Sequence, residues 1–520
     1  MKIFIYELIL STNYYIQLGF TDLICKRKSN AVNKKMNKQF RIILRDVCNN
    51  EWYQRRRYCY FHKISCWGDK FTPKVMEYIN ISKCYVVIDK EIYSTSTFIG
   101  LSMKSYKLII ILTILYVASL ILPAIIFQSN WYLDHWDVSW YHKYAIQIFS
   151  GKIPYVDFHI EYPQLVLIAI LLPYLVSIAL GDPLMYFSAH CLICSILYIA
   201  TGFMVYHITL TLYGKEDRAF VALLMTITAF SATYFVLTKY DAYPTFFMVL
   251  AIYLYIIKDD IKWSYLASVI GFFMKWFVLI LLPFLLVRDV RQYLEFAKDE
   301  SKSKGLLKNK DISVAILLCI ILAVLVLLPF FLLSLKSGNF SNLTYAYTFH
   351  IGRDAQTESI FFLLDNVFNL GTFCSQIGNF LMLGAMVIVF YMYYRKNDQS
   401  IPTLVGYFAF AIFVFVFFNK VASPQYILWF TPLFAIILSR KVMHIVWFYF
   451  VQLWMFLEFP ILFNVIINNG EYLMRTEAII FFTIKFILWI GIAYVLWKEI
   501  NRPVLKEKDS LSTCSVAKIS

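Results

Sequence analysis

From Met103 onward, long apolar runs alternate with short polar or charged turns. The runs are, approximately, 107–127, 163–181, 186–212, 219–238, 242–258, 264–287, 312–334, 376–394, 402–418, 425–438, 442–463 and 475–497. Most approach the ~20 residues that carry an α-helix across a hydrocarbon core. The pattern predicts an all-α polytopic membrane protein of about twelve transmembrane helices. Residues 1–102 read differently: no run there nears that length, and basic clusters such as Lys26-Arg27-Lys28 and Arg55-Arg56-Arg57 interrupt a weak periodicity. Polar residues scattered through its start (Glu7, Asn13, Gln17) deny it the clean apolar core of a signal peptide. Met103-Lys104-Ser105-Tyr106-Lys107 then opens an unbroken apolar helix, as an inside-anchored membrane protein usually begins. The expected organisation is a basic N-terminal extension over 1–102, with Met103 the preferred start, a transmembrane domain over 103–500 and a cytoplasmic tail over 501–520. The rival for 1–102 is a small basic domain touching anionic lipid heads.

Composition narrows the class. The chain is 60% hydrophobic and 16% charged, against roughly 45–50% and about 25% in soluble domains. That excludes a soluble enzyme, a secreted disulfide scaffold, a coiled coil or a nucleic-acid module as the main body. Of the net charge of +15, the first 102 residues hold +9 (17 Lys+Arg against 8 Asp+Glu). Five of the ten cysteines, Cys25, Cys48, Cys59, Cys66 and Cys84, fall there too. Cys191 and Cys194 form a C-x-x-C inside an apolar run without a second pair, where helix packing outweighs zinc or redox chemistry.

Lys/Arg bias sets the orientation. The stretch 288–311 carries seven basic residues and is expected on the cytoplasmic side, with Arg395-Lys396, Arg440-Lys441 and the tail after Lys498. Both ends then lie inside, and loops 128–162, 335–375 and 419–424 lie outside. The same count puts Lys215-Glu216-Asp217-Arg218 outside and Asp241 inside, though these charge-balanced turns give it no support of their own and one segment there could be re-entrant. Two glycosylation sequons, at Asn339 and Asn342, agree with an external second loop.

Chemistry concentrates in the external loops. The first holds Asp134, Asp137, Asp157 and Glu161 among many Trp and Tyr residues. Trp140, Tyr141, Tyr144, Ile148 and Phe149 are spaced for a short amphipathic helix over 137–149 lying on the membrane, stopped by Gly151. A carboxylate facing a membrane-level cavity suits deprotonation of a hydroxyl, and aromatic faces pack on sugars. The plainer readings are an interfacial aromatic belt and, for Asp134, a helix N-cap. Lys275 lies within an apolar run, where an ionisable residue is costly and usually functional. It could bind an anionic ligand or pair with Asp241.

Several motifs carry a resemblance. They are Asp137-x-x-x-Tyr141, then Gly151-Lys152-Ile153-Pro154-Tyr155-x-Asp157-Phe158 and Glu161-Tyr162-Pro163, with Lys239-Tyr240-Asp241-Ala242-Tyr243-Pro244 following. Later come His350-Ile351-Gly352-Arg353-x-x-Gln356-x-Glu358-Ser359 and Asn419-Lys420-Val421-x-Ser423-Pro424-Gln425-Tyr426-Ile427-x-Trp429. In this order, over about 103–500, they resemble the GT-C integral-membrane glycosyltransferases. The nearest likeness is to the polyprenyl-phosphate-mannose-dependent α-1,2-mannosyltransferases, of phosphatidylinositol-mannoside mannosyltransferase type.

The resemblance implies transfer of a hexose, mannose in that family, from a polyprenyl-phosphate carrier to a hydroxyl of a glycolipid or lipid-linked glycan at the external face. Asp137 would be the general base of this inverting reaction, with Asp134, Asp157 and Glu161 as secondary candidates. Arg353, His350, Lys420 and Lys275 would bind the donor phosphate. Tyr141, Gln356, Glu358, Gln425 and Tyr426 would bind sugar or acceptor. The donor has no diphosphate, so no metal or other cofactor is expected, and no nucleic-acid partner. Against these roles, Arg353 could pair with Asp354, Lys420 could snorkel to lipid heads, and His350 could be a solvated loop residue. A transporter or lipid-carrier flippase is the alternative function, since a basic middle loop after six spans is also a transporter plan. An oligosaccharyltransferase subunit is disfavoured because its Trp-Trp-Asp-type signature is missing.

Overall fold

Apolar side chains on every side of a helix need an apolar solvent or a protein partner, and this chain uses both. Its structure, a computed structural model, describes residues 135–182, 185–297, 304–370, 372–463 and 476–502; for 295–297, 304–310 and 350–352 it describes the backbone alone. The described part is mostly helical, with no strand among its residues. The helices are α1 (Trp136–Phe149), α2 (Val166–Ala179), α3 (Tyr186–Tyr213), α4 (Glu216–Ile227), α5 (Phe230–Thr238), α6 (Ala242–Ile257), α7 (Ile261–Met274) and α8 (Leu281–Ala297). They continue as α9 (Lys304–Ser337), α10 (Phe340–Gly352), α11 (Ile360–Val367), α12 (Phe373–Arg395), α13 (Ile401–Phe417), α14 (Ile427–Leu438), α15 (Val442–Phe456) and α16 (Thr476–Ile500). The expectations for residues 1–102, the run 107–127 and most of the tail 501–520 lie outside the described residues.

Among the described residues, five helices are long and apolar enough to cross a membrane: Tyr186–Tyr213, Asp311–Ser337, Phe373–Arg395, Val442–Leu462 and Thr476–Ile500. The pair α4 and α5, bent by 51°, makes a sixth if counted as one broken span. Shorter apolar helices fill other expected runs: Val166–Ala179, Ala242–Ile257, Ile261–Met274, Ile401–Phe417 and Pro424–Leu438. Exposure separates two roles. All of α14 is buried, and α13 nearly so, and these form the centre. In contrast α9 exposes Leu317, Ile320, Leu325, Phe331 and Leu332, and α12 exposes Phe380, Leu383, Val387 and Ile388. Faces that apolar belong against lipid.

Two sets of loops collect at opposite ends of the helices. At one end Arg218 donates to the carbonyls of Ile436 and Ile437, Arg288 to that of Gln399, and Arg291 to that of Lys396. Lys262 pairs with Asp311 at 3.1 Å and Lys441 with Glu499 at 3.4 Å at this basic end. At the other end Ser334, near the close of α9, donates to the Tyr155 carbonyl. There Asn339 and Asn342 both donate through Nδ2 to the Val156 carbonyl, at 3.1 and 2.8 Å. The sequon side chains therefore hold the first loop in place.

This division corrects the orientation read from the first half of the sequence. Asp241 was expected across the membrane from the first loop, yet Lys239, two residues before it, pairs with Asp137 at 2.7 Å. The 215–218 turn lies instead with the basic end, through Arg218. Two helical runs account for the change. The run 163–181 forms the 14-residue α2, which packs along α1 and the start of α3: Phe149 meets Tyr174, and Tyr186 Oη donates to the Ile170 carbonyl. The run 264–287 is not one helix. It breaks at Lys275, whose backbone is extended at φ −160°, ψ 134°, and α8 returns to the end where α7 began. There Asp289 accepts bonds from Tyr255 and Tyr265. The fold-back is tight: a Cβ on Gly271 would lie 2.8 Å from Val278 Cγ1.

Candidate functional site

The site begins with α1. Val138, Tyr141 and Ala145 recur at helical spacing and bury one face, while Trp136, Trp140, Ile146 and Phe149 stay exposed on the other. Asp137 stands in the first turn, where the helix dipole favours a carboxylate. The helix stops where the sequence expects it, with Gly151 at φ +92°. Beyond it the chain makes a compact turn. Asp157 Oδ2 accepts the Ile153 N–H at 2.6 Å, and Tyr155 N donates to the Phe158 carbonyl. Asp157 is thus a turn-forming residue away from the cavity and is withdrawn as a base candidate. Asp134 lies outside the described residues.

Beside α1 opens a cavity of about 920 Å³. Its wall includes Asp137, Tyr141, Glu161, Lys275, Arg353, Gln356, Glu358, Gln425 and Tyr426, so nine of the sequence candidates converge on one space. They come from the first loop, the α7 break, the segment after α10 and the short 3-10 turn Pro424–Tyr426. A backbone bond from Gln356 N to the Lys420 carbonyl, 2.8 Å, ties the last two segments together. Lys420 serves there through its carbonyl and is not among the residues of the cavity wall. His350 is on the last turn of α10, and its side chain lies outside the described residues. Arg353 sits 5.0 Å over the Phe349 ring. Among the described residues it forms no ion pair, so the Asp354 pairing is not made.

Two lysine–aspartate pairs define the floor, and each lysine occupies an extended break between helices. Lys239 (φ −135°, ψ 152°) separates α5 from α6 and pairs with Asp137. Lys275 pairs with Asp241 at 2.7 Å, and Asp241 also accepts Trp429 Nε1–H at 2.6 Å. Of the two expectations for Lys275, the structure bears out the pairing with Asp241, and it sets the lysine on the cavity wall. Rings of Tyr240, Trp429, Tyr162 and Tyr426 surround its ammonium, with centroids at 4.9, 5.2, 5.6 and 5.6 Å. Such a cage adds cation–π attraction to the ion pair.

Glu161 is the second carboxylate of the first loop on this wall. Burial pushes its pKa above the ordinary carboxyl value, and the Arg353 charge offsets part of that rise. A carboxyl in this setting keeps its proton to higher pH than an exposed one. Burial also pushes the Tyr144 phenol up, with Glu161 adding to the shift.

Sequence reasoning missed Lys239, although it noted the Lys239-Tyr240-Asp241 turn, because it placed that turn at the wrong end. It also missed a buried pair behind the cavity. Lys485 donates to Glu458 Oε1 at 2.8 Å and to the Glu358 carbonyl at 3.1 Å. The signal was available, as Glu458 inside the apolar run 442–463 and Lys485 in the middle of 475–497. Cys194 lies 3.6 Å from His190 Nε2 in a fully buried setting, and among the described residues no group of His, Cys, Asp and Glu could hold a metal ion. No protein-family model matches the chain, and no curated protein is significantly similar to it.

Proposed function

We propose that the chain is an integral-membrane glycosyltransferase of the GT-C type, crossing the membrane about twelve times with the cavity at the external face. It would move a hexose, mannose by the family likeness, from a polyprenyl-phosphate carrier to a hydroxyl of a glycolipid or lipid-linked glycan. The observation that carries this is the convergence of Asp137 and Glu161 with Arg353, Lys239 and Lys275 on one cavity. A transferase of this kind needs both a base for the acceptor and cations for the leaving phosphate. The basic end of the helices is the cytoplasmic one by charge bias, and that leaves the cavity outside.

The chemistry follows from the wall. Asp137 takes the proton of the acceptor hydroxyl as its oxygen attacks the anomeric carbon. Arg353 offers a two-pronged donor set to the phosphate that departs, and Lys275, held by Asp241, adds a fixed positive charge below it. Gln356, Gln425 and Glu358 supply polar atoms for sugar hydroxyls, and Tyr141 and Tyr426 supply faces for the rings. The test uses membranes containing the full chain, radiolabelled polyprenyl-phosphate mannose and a crude lipid acceptor, with Asp137→Asn beside the native protein and EDTA in one arm. Transfer that persists in EDTA and falls about 10²–10⁴-fold in the variant, the range for a general base, supports the proposal. Native-rate transfer by Asp137→Asn removes Asp137 as base and makes Glu161 the remaining candidate on this wall. The alternative of a transporter draws on the buried Lys485–Glu458 pair, since intramembrane charges often line transport paths. Uptake or flipping of a labelled carrier lipid, without sugar transfer, would favour it.

A further inference from the structure

Lys485 lies in the middle of α16 with its side chain fully buried, and it is not among the residues of the cavity wall. The groups it holds are on that wall or next to it. Its ammonium donates to the Glu358 carbonyl at 3.1 Å and to Glu458 Oε1 at 2.8 Å. Glu358 and Gln356, both on the wall, belong to a turn closed by Ser359 N donating to the Gln356 carbonyl at 2.9 Å. Glu458 stands in the segment Leu457–Leu462 after α15, directly before the wall residues Phe459 and Pro460. One ammonium therefore refers two separate stretches of wall to a third helix. Packing alone does not place the turn. Leu363, Phe482 and Phe486 press α11 against α16, but apolar contact is non-directional. The ladder of α11 begins with Leu363 N donating to the Ser359 carbonyl. The Glu358 carbonyl thus stands one residue outside that ladder, in a buried residue. A buried carbonyl there requires a donor, and Lys485 supplies it. Glu458 balances the charge, which the rings of Phe482, Phe486 and Trp489 around the ammonium would otherwise leave uncompensated.

We propose that Lys485 is a positioning residue: it fastens the Gln356–Ser359 turn at the Glu358 carbonyl, so that the Gln356 and Glu358 side chains stand where the sugar of the donor binds. This rests on the transferase reading above for the ligand, and it adds a role for a residue that the ligand never touches. The bond is to backbone, so the Glu358 carboxylate stays on the wall while its main chain is held from behind. A hydrogen bond fixes distance and direction together, which is what a sugar hydroxyl demands of the groups that recognise it. Lys485 thereby contributes to recognition of the sugar and not of the phosphate, whose proposed partners Arg353 and Lys275 lie outside this turn.

The test separates fastening from folding. Lys485→Met alone strands Glu458 as a buried charge and should lower the melting temperature. Lys485→Met with Glu458→Met should recover most of that loss, because exchanging a whole buried pair for apolar residues is often near neutral, yet it still leaves the Glu358 carbonyl without its donor. Calorimetry on the purified full chain in non-ionic detergent uses two probes, hexyl mannosyl phosphate and hexyl phosphate, which lacks the sugar. The double variant is expected to bind the first about tenfold more weakly, the scale of one hydrogen bond to a charged group, and the second as native does. Hydrogen exchange should quicken in peptides covering 356–359 and stay unchanged in α14. In a Glu358→Gln background the double variant should add little further loss, since the two changes act through one group. The positioning is overturned if the double variant binds the mannosyl probe as native does, or if both probes weaken alike. It is also overturned if the losses simply add, or if the double variant is as unstable as Lys485→Met, which would make the pair a folding element only. Sugar transfer without this binding pattern overturns the positioning and leaves the transferase. The pattern without transfer overturns the transferase and leaves a sugar-phosphate site, and binding of neither probe by native protein overturns both.

Discussion

Replacing Asp241 by Asn tests the floor of the cavity through stability alone. Asp241 is fully buried and takes two strong bonds on Oδ1, from Lys275 Nζ at 2.7 Å and Trp429 Nε1 at 2.6 Å. Among the described residues its Oδ2 has no hydrogen-bond partner. An Asn in that place can keep its carbonyl toward Lys275 and Trp429, but its amide then points where no acceptor waits. An unsatisfied buried donor costs about 1–3 kcal/mol, and an uncompensated buried charge left by removing its partner costs about 3–5 kcal/mol in all. The aromatic cage returns part of this, since cation–π contacts at desolvated sites are worth about 2 kcal/mol. The net expectation is a loss of about 2–4 kcal/mol, read by denaturant titration of the purified protein with tryptophan fluorescence as probe. The companion is Asp241→Leu with Lys275→Met, which removes both charges at similar volume. It should recover most of the loss, because swapping a whole buried pair for apolar residues is often near neutral. The argument fails if Asp241→Asn stays within about 0.5 kcal/mol of native. It also fails if the double replacement costs as much as the single changes added together.

Four further outcomes follow from the same structure. Because the Glu161 pKa is raised in the fold, its ionisation opposes folding. The cost is nil below the ordinary carboxyl range, grows as pH climbs to the raised value, and is full above it; Glu161→Gln should therefore raise the melting temperature at about pH 7.5 but not at about pH 4. Gly491→Ala would put a Cβ 2.5 Å from Trp447 Cζ2, forcing α15 and α16 apart, and should cost about 1–3 kcal/mol in the denaturant titration. Cysteines placed at Lys215 and at Lys152 should react with a membrane-impermeant maleimide from opposite sides of a sealed vesicle; labelling from one side would refute the two-ended loop division. Asn342→Gln should leave mobility on a glycan-sensitive gel unchanged, because the Asn342 amide is engaged with the Val156 carbonyl, and a shift would show that this bond gives way to a glycan.

How much of this was legible depends on what kind of force set it. Helix content and the apolar runs follow from side-chain transfer energies, which act residue by residue, and the sequence carries them openly. The α1 helix and its stop at Gly151 belong to this class, whereas the grouping of distant loop residues came from the order of the family-like motifs. What failed was parity. Counting runs treats each as one crossing, but Lys275 ends α7 in extended backbone and sends α8 back the way it came, while α2 stays beside α1 and the start of α3. Those events turn on where a chain reverses inside an apolar run, and an apolar run hides reversals because its composition is the same on both limbs. The clue was charge: Lys275 inside a run, and Asp241 with Lys239 in the tight turn between two, are ions tolerated there only when another segment supplies the partner. An ion inside an expected span is thus better taken as a statement about a neighbour than about the helix bearing it. Applied to Lys485 and Glu458, the same logic joins α16 to the end of α15 with no count of crossings at all. Had Lys239 been matched to the nearest unpaired external carboxylate on this ground, Asp137 would have been its partner and the orientation of the first half would have followed.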